Sequence, residues 1–327
     1  MILILSRQDD GSTAMVIQWL LAYKKEYLRL NADTHTTTFH YFDINKRELI
    51  VEQDGKMINL YDATSLWYRR RGLSMKSVPI DYSLHKKPVI PDDADFHQEH
   101  LKTEMSTLLD FIYLNVAQHS KTVLGGYRTS QVNKFEVLQI ARDAGLTIPE
   151  SYIMTRKKDV QNLLEKTHIG LVTKAMGNGV YHFTKKRGYY SYTEKITPAV
   201  LDAMPETFFP SLIQVQVKKK YELRIFYIKG EYYAMAIFSQ HDKKTTVDFR
   251  KYNLEKPNRQ VPYLLPVKVQ QQLTTVMDAL QLDSGSIDII VDEHNDYVFL
   301  EVNPIGQFGM TSIPCNYYLE RRIAQLL

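Results

Sequence analysis

Near the C-terminus the chain reads GSIDIIVDEHNDYVFLEVNPIGQFG. Two apolar strands flank the polar residues 293–296, which is the pattern of a β-hairpin. Side chains alternate faces along a strand, so Glu301 and Asn303 share one. A turn centred on His294 and Asn295 pairs Asp292 with Tyr297, and continuing that ladder sets Asp288 opposite Glu301. Like charges directly opposite destabilise a sheet, and a buried charge without compensation is costly. Three oxygen-bearing side chains on one spot are accounted for by a hard divalent cation between them. Mg²⁺ fits, because it takes one or two carboxylates and completes its shell with phosphates and water. No Cys or His cluster stands here for zinc. The competing interpretation is an ordinary polar face turned to water.

The chain has 327 residues, room for two or three packed units, with 44% apolar and 24% charged residues, an ordinary globular balance. No apolar run reaches the ~18 residues of a membrane span. The start, MILILSRQDDGS, lacks a basic leader and reads as a buried strand over residues 2–6 rather than a signal peptide. A single cysteine, Cys315, excludes an internal disulfide and fits a reducing, cytoplasmic setting. Net charge is +4, but the basic residues cluster at Arg69–Arg71, Lys185–Arg187, Lys218–Lys220 and Lys243–Lys244. Such clusters could meet phosphates, an acidic peptide or nucleic acid; each is equally a solvated loop.

In the first third, short apolar strands (2–6, 38–42, 65–68) alternate with helical pattern (14–27), which predicts an α/β layer. A long helix is expected over about 95–116. A second, capped by Ser130 and ended by Gly145, carries Val132, Val137, Leu138, Ala141 and Ala144 inward. Residues 168–176 read as a strand entering the loop MGNGV, followed by two short strands around the turn 185–188 and a helix near 198–204. The chain is strand-rich from 212 to 249, and a last helix, about 267–280, precedes the terminal hairpin.

Metal held by so few protein ligands implies phosphates. Neither GxxxxGK[ST] nor GxGxxG occurs. Lys174, however, lies in the apolar strand GLVTKAMGNG, where a lysine without an anion is costly. Gly177 and Gly179 just beyond it let backbone N–H groups approach phosphate oxygens. Lys134 offers a second cation; either lysine alone could equally be a snorkelling surface residue. The segment SLIQVQVKKKYELRIFYIKG carries Gln214, Glu222 and Arg224 in apolar surroundings, and its IQVQV part could lend backbone hydrogen bonds to an adenine edge. It reads as readily as a hairpin with a polar turn at Lys218–Lys220. Arg250 in TVDFRKYN is a further cation beside apolar sequence.

Taken in order, Lys134, Lys174 with its glycine loop, the IQVQV hinge, Glu222-Leu223-Arg224, Asp248-Phe249-Arg250, Asp288 and Glu301-Val302-Asn303 resemble the ATP-grasp ligases. The similarity runs from about Thr129 to Gly309, with EVNP its sharpest element. LWYRRRG, GGYRTSQVNKFEVLQIARDAGLTIPESYIMT and KKKYELRIFYIKGEYYAMAIFSQ are similar to the graspetide synthetases, the microviridin-type and grasp-with-spasm peptide maturases.

That resemblance implies an α/β (α+β) ATP-grasp fold in three parts: an N-terminal α/β domain at 1–120, a central domain at 121–211 with the glycine loop and a leader-binding hairpin, and a C-terminal domain at 212–327, the last two sandwiching ATP. It implies ATP and Mg²⁺ as cofactors. It implies phosphorylation of an Asp or Glu side chain of a ribosomal precursor peptide and attack by a Thr or Ser hydroxyl, giving a macrolactone; relatives use Lys amines. By motif, Lys134 and Lys174 would contact the phosphates, Gln214, Val215, Gln216 and Val217 would border the adenine, and Glu222 would bind the ribose. Asp288, Glu301 and Asn303 would hold the metal. Arg224 and Arg250, with Lys174, would carry catalysis at the γ-phosphate or acceptor carboxylate.

Val215 stands where many glutamate-adding relatives have an acidic residue, which bears on a side-chain contact to the adenine amine but not on a backbone one. The acyl phosphate must be kept from water, and MGNGV and His241–Thr246 are lid candidates; His241 and Asp248 are candidate bases. The hairpin at 181–192 would help bind the leader. A homodimer is implied, with no nucleic-acid or membrane partner. Two rival functions are a ligase joining a carboxylate to an amine or an amino acid, and a non-catalytic nucleotide- or nucleic-acid-binding protein.

Overall fold

Ile2–Ser6 (β1) is buried at every position, as a strand covered on both faces must be. It is followed by α1 (Gly11–Ala22), β2 (Tyr27–Asn31), β3 (Thr37–Asp43), β4 (Glu48–Gln53), β5 (Lys56–Asn59), β6 (Ser65–Tyr68), α2 (Pro91–His119) and β7 (Thr122–Leu124). The computed structural model describes residues 1–79, 91–167, 169–177, 179, 181–184, 187–239 and 258–327. These divide into one unit of Met1–Gln131, Leu282–Ser284 and Gln307–Leu327, and another of Val132–Gln281 and Gly285–Gly306.

In the first unit β2-β1-β6-β7 form a parallel sheet, and β3-β4-β5 an antiparallel meander. The helix expected over 14–27 stops at Ala22, because Lys24 turns the backbone left-handed (φ 56°) and Tyr27 opens a strand. There Leu28 and Leu30 are buried between half-exposed neighbours, a period-two signal too short to outweigh the helical run before it. The long helix α2 extends beyond the expected 95–116 at both ends and buries Met105, Leu109, Ile112, Tyr113 and Val116.

The second unit continues with α3 (Lys134–Asp143), β8 (Ser151–Arg156), α4 (Lys157–Thr167), β9 (Leu171–Lys174), β10 (Tyr181–Phe183), β11 (Gly188–Tyr190), β12 (Glu194–Lys195), α5 (Pro198–Ala203), β13 (Thr207–Val215), β14 (Lys219–Ile228), β15 (Glu231–Phe238), β16 (Arg259–Tyr263), α6 (Val267–Ala279), β17 (Ser284–Asp292) and β18 (Tyr297–Asn303). Two antiparallel sheets carry it: β12-β9-β13-β8, and the order β16-β15-β14-β17-β18. Val160, Leu163, Leu171, Ile196 and Ile213 form the core beneath the first. The cap of α3 is Asn133, whose side chain accepts from the N–H groups of Phe135 and Glu136; Ser130, the expected cap, instead donates to the Tyr127 carbonyl. The sequence reading gave no helix at α4, where Val160 and Leu163 supply only one turn of apolar spacing.

Two further helices, α7 (Gly309–Cys315) and α8 (Leu319–Leu326), follow the hairpin that was expected to end the ordered pattern. In the first unit α8 buries Leu319, Ile323 and Ala324, and packs against α1; Lys25 Nζ donates to the Ala324 carbonyl at 3.0 Å.

The arginine triplet is not a simple solvated cluster. Arg69 is 4% exposed; its Nε donates to Asp10 Oδ2 at 2.9 Å and its Nη2 to Gln307 Oε1 at 3.2 Å. Burial pulls the Arg69 guanidinium down to about 10, while Asp10 opposes that pull. Asp10 also caps α1 through the N–H groups of Ser12 and Thr13. Asp10→Ala therefore removes a cap and strands a buried cation, with an expected loss of about 3–5 kcal/mol in denaturant unfolding. A loss below about 1 kcal/mol, the value of an exposed pair, would mean that Arg69 finds another anion.

Candidate active site

Asp288 pairs directly with Glu301 across the β17–β18 ladder, as the alternation predicts. The route to that pairing differs from the expected one. Tyr297 faces Val291, not Asp292, because the Asp292 carboxylate is used inside the turn, accepting from the N–H groups of His294 and Asp296. The register is offset by one residue until a bulge at Leu300 shifts it back between Asp288 and Ile289. Without the bulge Glu301 would stand off Asp288.

Neither carboxylate is left alone. Arg224, on β14 beside β17, donates from Nη1 to both Asp288 oxygens, at 2.7 and 2.6 Å. Glu301 Oε2 lies 3.4 Å from Lys134 Nζ and 3.7 Å from Lys174 Nζ. Lys134 also donates to the Ala175 carbonyl at 3.3 Å, tying the start of α3 to the segment that enters the glycine loop. Asn303, two residues beyond Glu301, is exposed, and its Oδ1 accepts from the Ile305 N–H.

A pocket opens between the two sheets of the second unit. Lys134, Lys174, Gln214, Val215, Gln216, Val217, Glu222, Asp288 and Glu301 all line it. Residues chosen from scattered stretches of sequence are thus brought to one cavity. Arg224 reaches its rim through Asp288.

The hinge can be read atom by atom. Gln214 is buried in β13 and donates to Ser151 Oγ at 2.8 Å. The Val215 N–H donates to the Glu150 carbonyl and the Gln216 N–H to the Gly170 carbonyl. Among the described residues Val217 N–H has no such partner, so it is the hinge donor available to a ligand.

Lys219 was read only as part of a basic run. It is buried, lines the pocket and pairs with Glu222 three residues on, while Lys220 is exposed and donates to Asn295 Oδ1 at 2.9 Å. The run KKK therefore splits by burial, and the spacing of Lys219 to a glutamate in an apolar strand is the signal that marks it. Arg250, Asp248, His241, the segment 241–246, Lys243–Lys244, Lys185, Lys186, and the Asn178 and Val180 of MGNGV lie outside the described residues.

The donor set suits magnesium. Among the described residues no three His, Cys, Asp or Glu side chains form a metal cluster; the site offers two carboxylates and a neighbouring amide. That is too few for an all-protein cage and appropriate for an ion that shares its shell with phosphates.

No family model and no curated protein matches the sequence. Solved structures do match. The macrocyclase MdnC from Microcystis aeruginosa MRC, bound with its precursor peptide MdnA, is 25% identical over 100% of this chain and 99% of its own, with a TM-score of 0.79. A Chryseobacterium gregarium RiPP-associated ATP-grasp ligase, in complex with ADP and a leader and core peptide, is 23% identical over 99% of this chain and 94% of its own, also at 0.79. The chain has the fold of these proteins, an ATP-grasp ligase among them. The ATP-grasp ligase PsnB, complexed with a minimal precursor, Mg and ADP, is 18% identical over 99% of this chain and 95% of its own, with a TM-score of 0.72. Among the described residues, no helix of this chain is long and apolar enough to cross a membrane.

The pairing bears on any anionic ligand: Glu301 lies 3.4 Å from Lys134 Nζ and 3.7 Å from Lys174 Nζ, so an anion that approaches either lysine competes with it. Glu301→Gln should therefore leave metal-free ATP binding as tight as in the wild type or tighter. Turnover with Mg²⁺ should fall by roughly 100-fold or more, the scale for losing an electrostatic group at a reacting centre. Calorimetric titration with and without Mg²⁺ checks this; weaker metal-free binding in the variant would show that Glu301 does not compete for the lysines.

Proposed function

We propose that this ligase is an ATP-dependent peptide macrocyclase. A side-chain carboxylate of a ribosomally made precursor attacks the γ-phosphorus of ATP and ADP leaves. A Thr or Ser hydroxyl oxygen of the same peptide then attacks the acyl carbon, phosphate leaves, and a side-chain ester closes the ring. The observation that carries the reading is the pairing of Asp288 with Glu301 at a pocket shared with two lysines and a strand hinge. It stands in a chain that overlays from end to end on a macrocyclase solved with its precursor peptide and on a RiPP-associated ATP-grasp ligase solved with ADP and a leader and core peptide.

In this reading Asp288, Glu301 and Asn303 hold Mg²⁺, which offsets the negative charge of the phosphates when bound. Lys134 and Lys174 hold phosphate oxygens. Gln214, Val215, Gln216 and Val217 border the adenine, with Val217 N–H as the donor, and Glu222 takes the ribose. Arg224 and Arg250 face the γ-phosphate or the acceptor carboxylate. Phosphoryl transfer to a carboxylate joins two anions, so an excess of fixed cations lowers the repulsion between them. Arg224 is suited to this because its Nη1 already engages both oxygens of a carboxylate, at Asp288.

The leader peptide docks on the hairpin of β10 and β11, where Arg187 is exposed at the turn. The domain division 1–120, 121–211 and 212–327, a homodimer and a cytoplasmic location complete the proposal.

The test is mass spectrometry of the ligase with its precursor, ATP and Mg²⁺. Loss of one water per ring is expected, reversed by mild alkali because esters hydrolyse there. A water loss that survives alkali would mean amides, and a gain of residue mass would mean an amino-acid-adding ligase. ATP consumption with no change in any acidic Thr- or Ser-containing peptide would overturn the macrocyclase reading.

A further inference from the structure

Among the described residues Lys219 is the buried cation of the pocket wall for which the reaction as described has no use. Its side chain is 4% exposed and that of its partner Glu222 is 10% exposed. Both line the same cavity as the hinge Gln214–Val217. Lys219 opens β14 directly after that hinge, and Glu222 lies on the same strand in register with Ile237 of β15. The fold alone gives little reason for an ion pair here. A buried pair seldom stabilises more than apolar side chains of the same size would, and stripping one partner is costly. A polar pair kept in the wall of a ligand cavity is more readily explained by what it presents to the ligand.

We propose that Lys219 is a positioning residue for the sugar of the nucleotide. Its ammonium holds the Glu222 carboxylate in one orientation. A carboxylate engaged by one cation keeps acceptor sites for further donors, and vicinal sugar hydroxyls are donors of the right kind. The same ammonium cancels the charge that Glu222 would otherwise set near a polyphosphate. Lys219 thereby acts through Glu222 and makes ribose, rather than 2′-deoxyribose, the sugar that the pocket prefers. This rests on the nucleotide reading of the cavity given above.

The experiment compares equilibrium binding of ATP and 2′-deoxyATP, each with Mg²⁺, to the full-length wild type, Lys219→Met, Glu222→Gln and the double variant. Wild type is expected to prefer ATP by roughly 10- to 100-fold, the range for a hydrogen bond to a charged group. Lys219→Met should bring the ratio close to one. The double variant buries no charge, so it keeps the test open if Lys219→Met fails to fold; it should show the same ratio as Glu222→Gln alone. Lys219→Arg should restore part of the preference.

A wild type that binds neither nucleotide would overturn both this inference and the nucleotide reading. If ATP binds, the inference alone is overturned by any of three results: no sugar preference in the wild type, an unchanged ratio in folded Lys219→Met, or a double variant that loses more than Glu222→Gln does.

Discussion

Two carboxylates face each other across one β-ladder, and the second unit of the molecule is arranged so that they can. Asp288 is neutralised from its own sheet by Arg224, and Glu301 by Lys134 from α3 and Lys174 from β9. Three cations stand against two carboxylates, and the Lys219–Glu222 pair adds no net charge. Among the described residues the lysines and carboxylates that line the cavity balance, and Arg224 behind Asp288 supplies the one positive charge in excess, which favours a polyphosphate. The cavity also holds its own anions in place of that ligand. Phosphate binding then becomes an exchange of partners rather than the filling of a bare cationic hole, and a divalent cation that takes over the carboxylates makes the exchange favourable. Such an arrangement keeps each buried charge compensated in both states.

The exchange depends on register. Strand side chains alternate, so a slip of one residue would turn Glu301 and Asn303 to the opposite face. The hairpin turn takes up Asp292 and starts the ladder one residue out of step, and the bulge at Leu300 returns it in step just before Glu301. Bulges recur beside active sites because they re-aim a side chain without rebuilding the sheet. Here the apolar residue is the one left over, and Leu300 lines the pocket beside the glutamate it re-aims.

Short, wholly apolar strands were readable from sequence because their signal is local: β1 and β6, buried at every position, emerged with the expected bounds, and the 198–204 and 267–280 helices emerged close to theirs. The failures share a cause. Where the chain changes element through one unusual backbone angle, as at Lys24, composition carries no mark of it. Where a helix buries only a turn of apolar residues, as in α4, periodicity has too few points to register. The site divides in the same way. Alternation put Asp288, Glu301 and Asn303 on a common face, and order along the chain suggested the lysines and the hinge. What remained hidden was who pairs with whom. Arg224 and Asp288 are 64 residues apart, and only sheet order makes them neighbours. Lys219 was hidden by its flanking lysines, since a run of three reads as a turn while burial selects one of them.

Glycines near the pocket separate what the fold needs from what it does not. Gly306 is needed: a Cβ there would drive into the Ser286 side chain and lie 2.9 Å from the Ser286 backbone nitrogen, beneath the turn that follows Asn303. Gly177 is not. Its backbone is not left-handed, and among the described residues a Cβ there would meet nothing within 4 Å. Packing would accept any small residue at 177, yet the position lies three residues beyond Lys174 and two beyond the carbonyl that Lys134 holds. A glycine that neither conformation nor packing requires, next to two lysines already engaged with a carboxylate, is what a loop needs when a ligand rather than the protein is its close neighbour. Under the function proposed above, the open side of Gly177 among the described residues and the lysines engaged by Glu301 serve one end, a place for the phosphates.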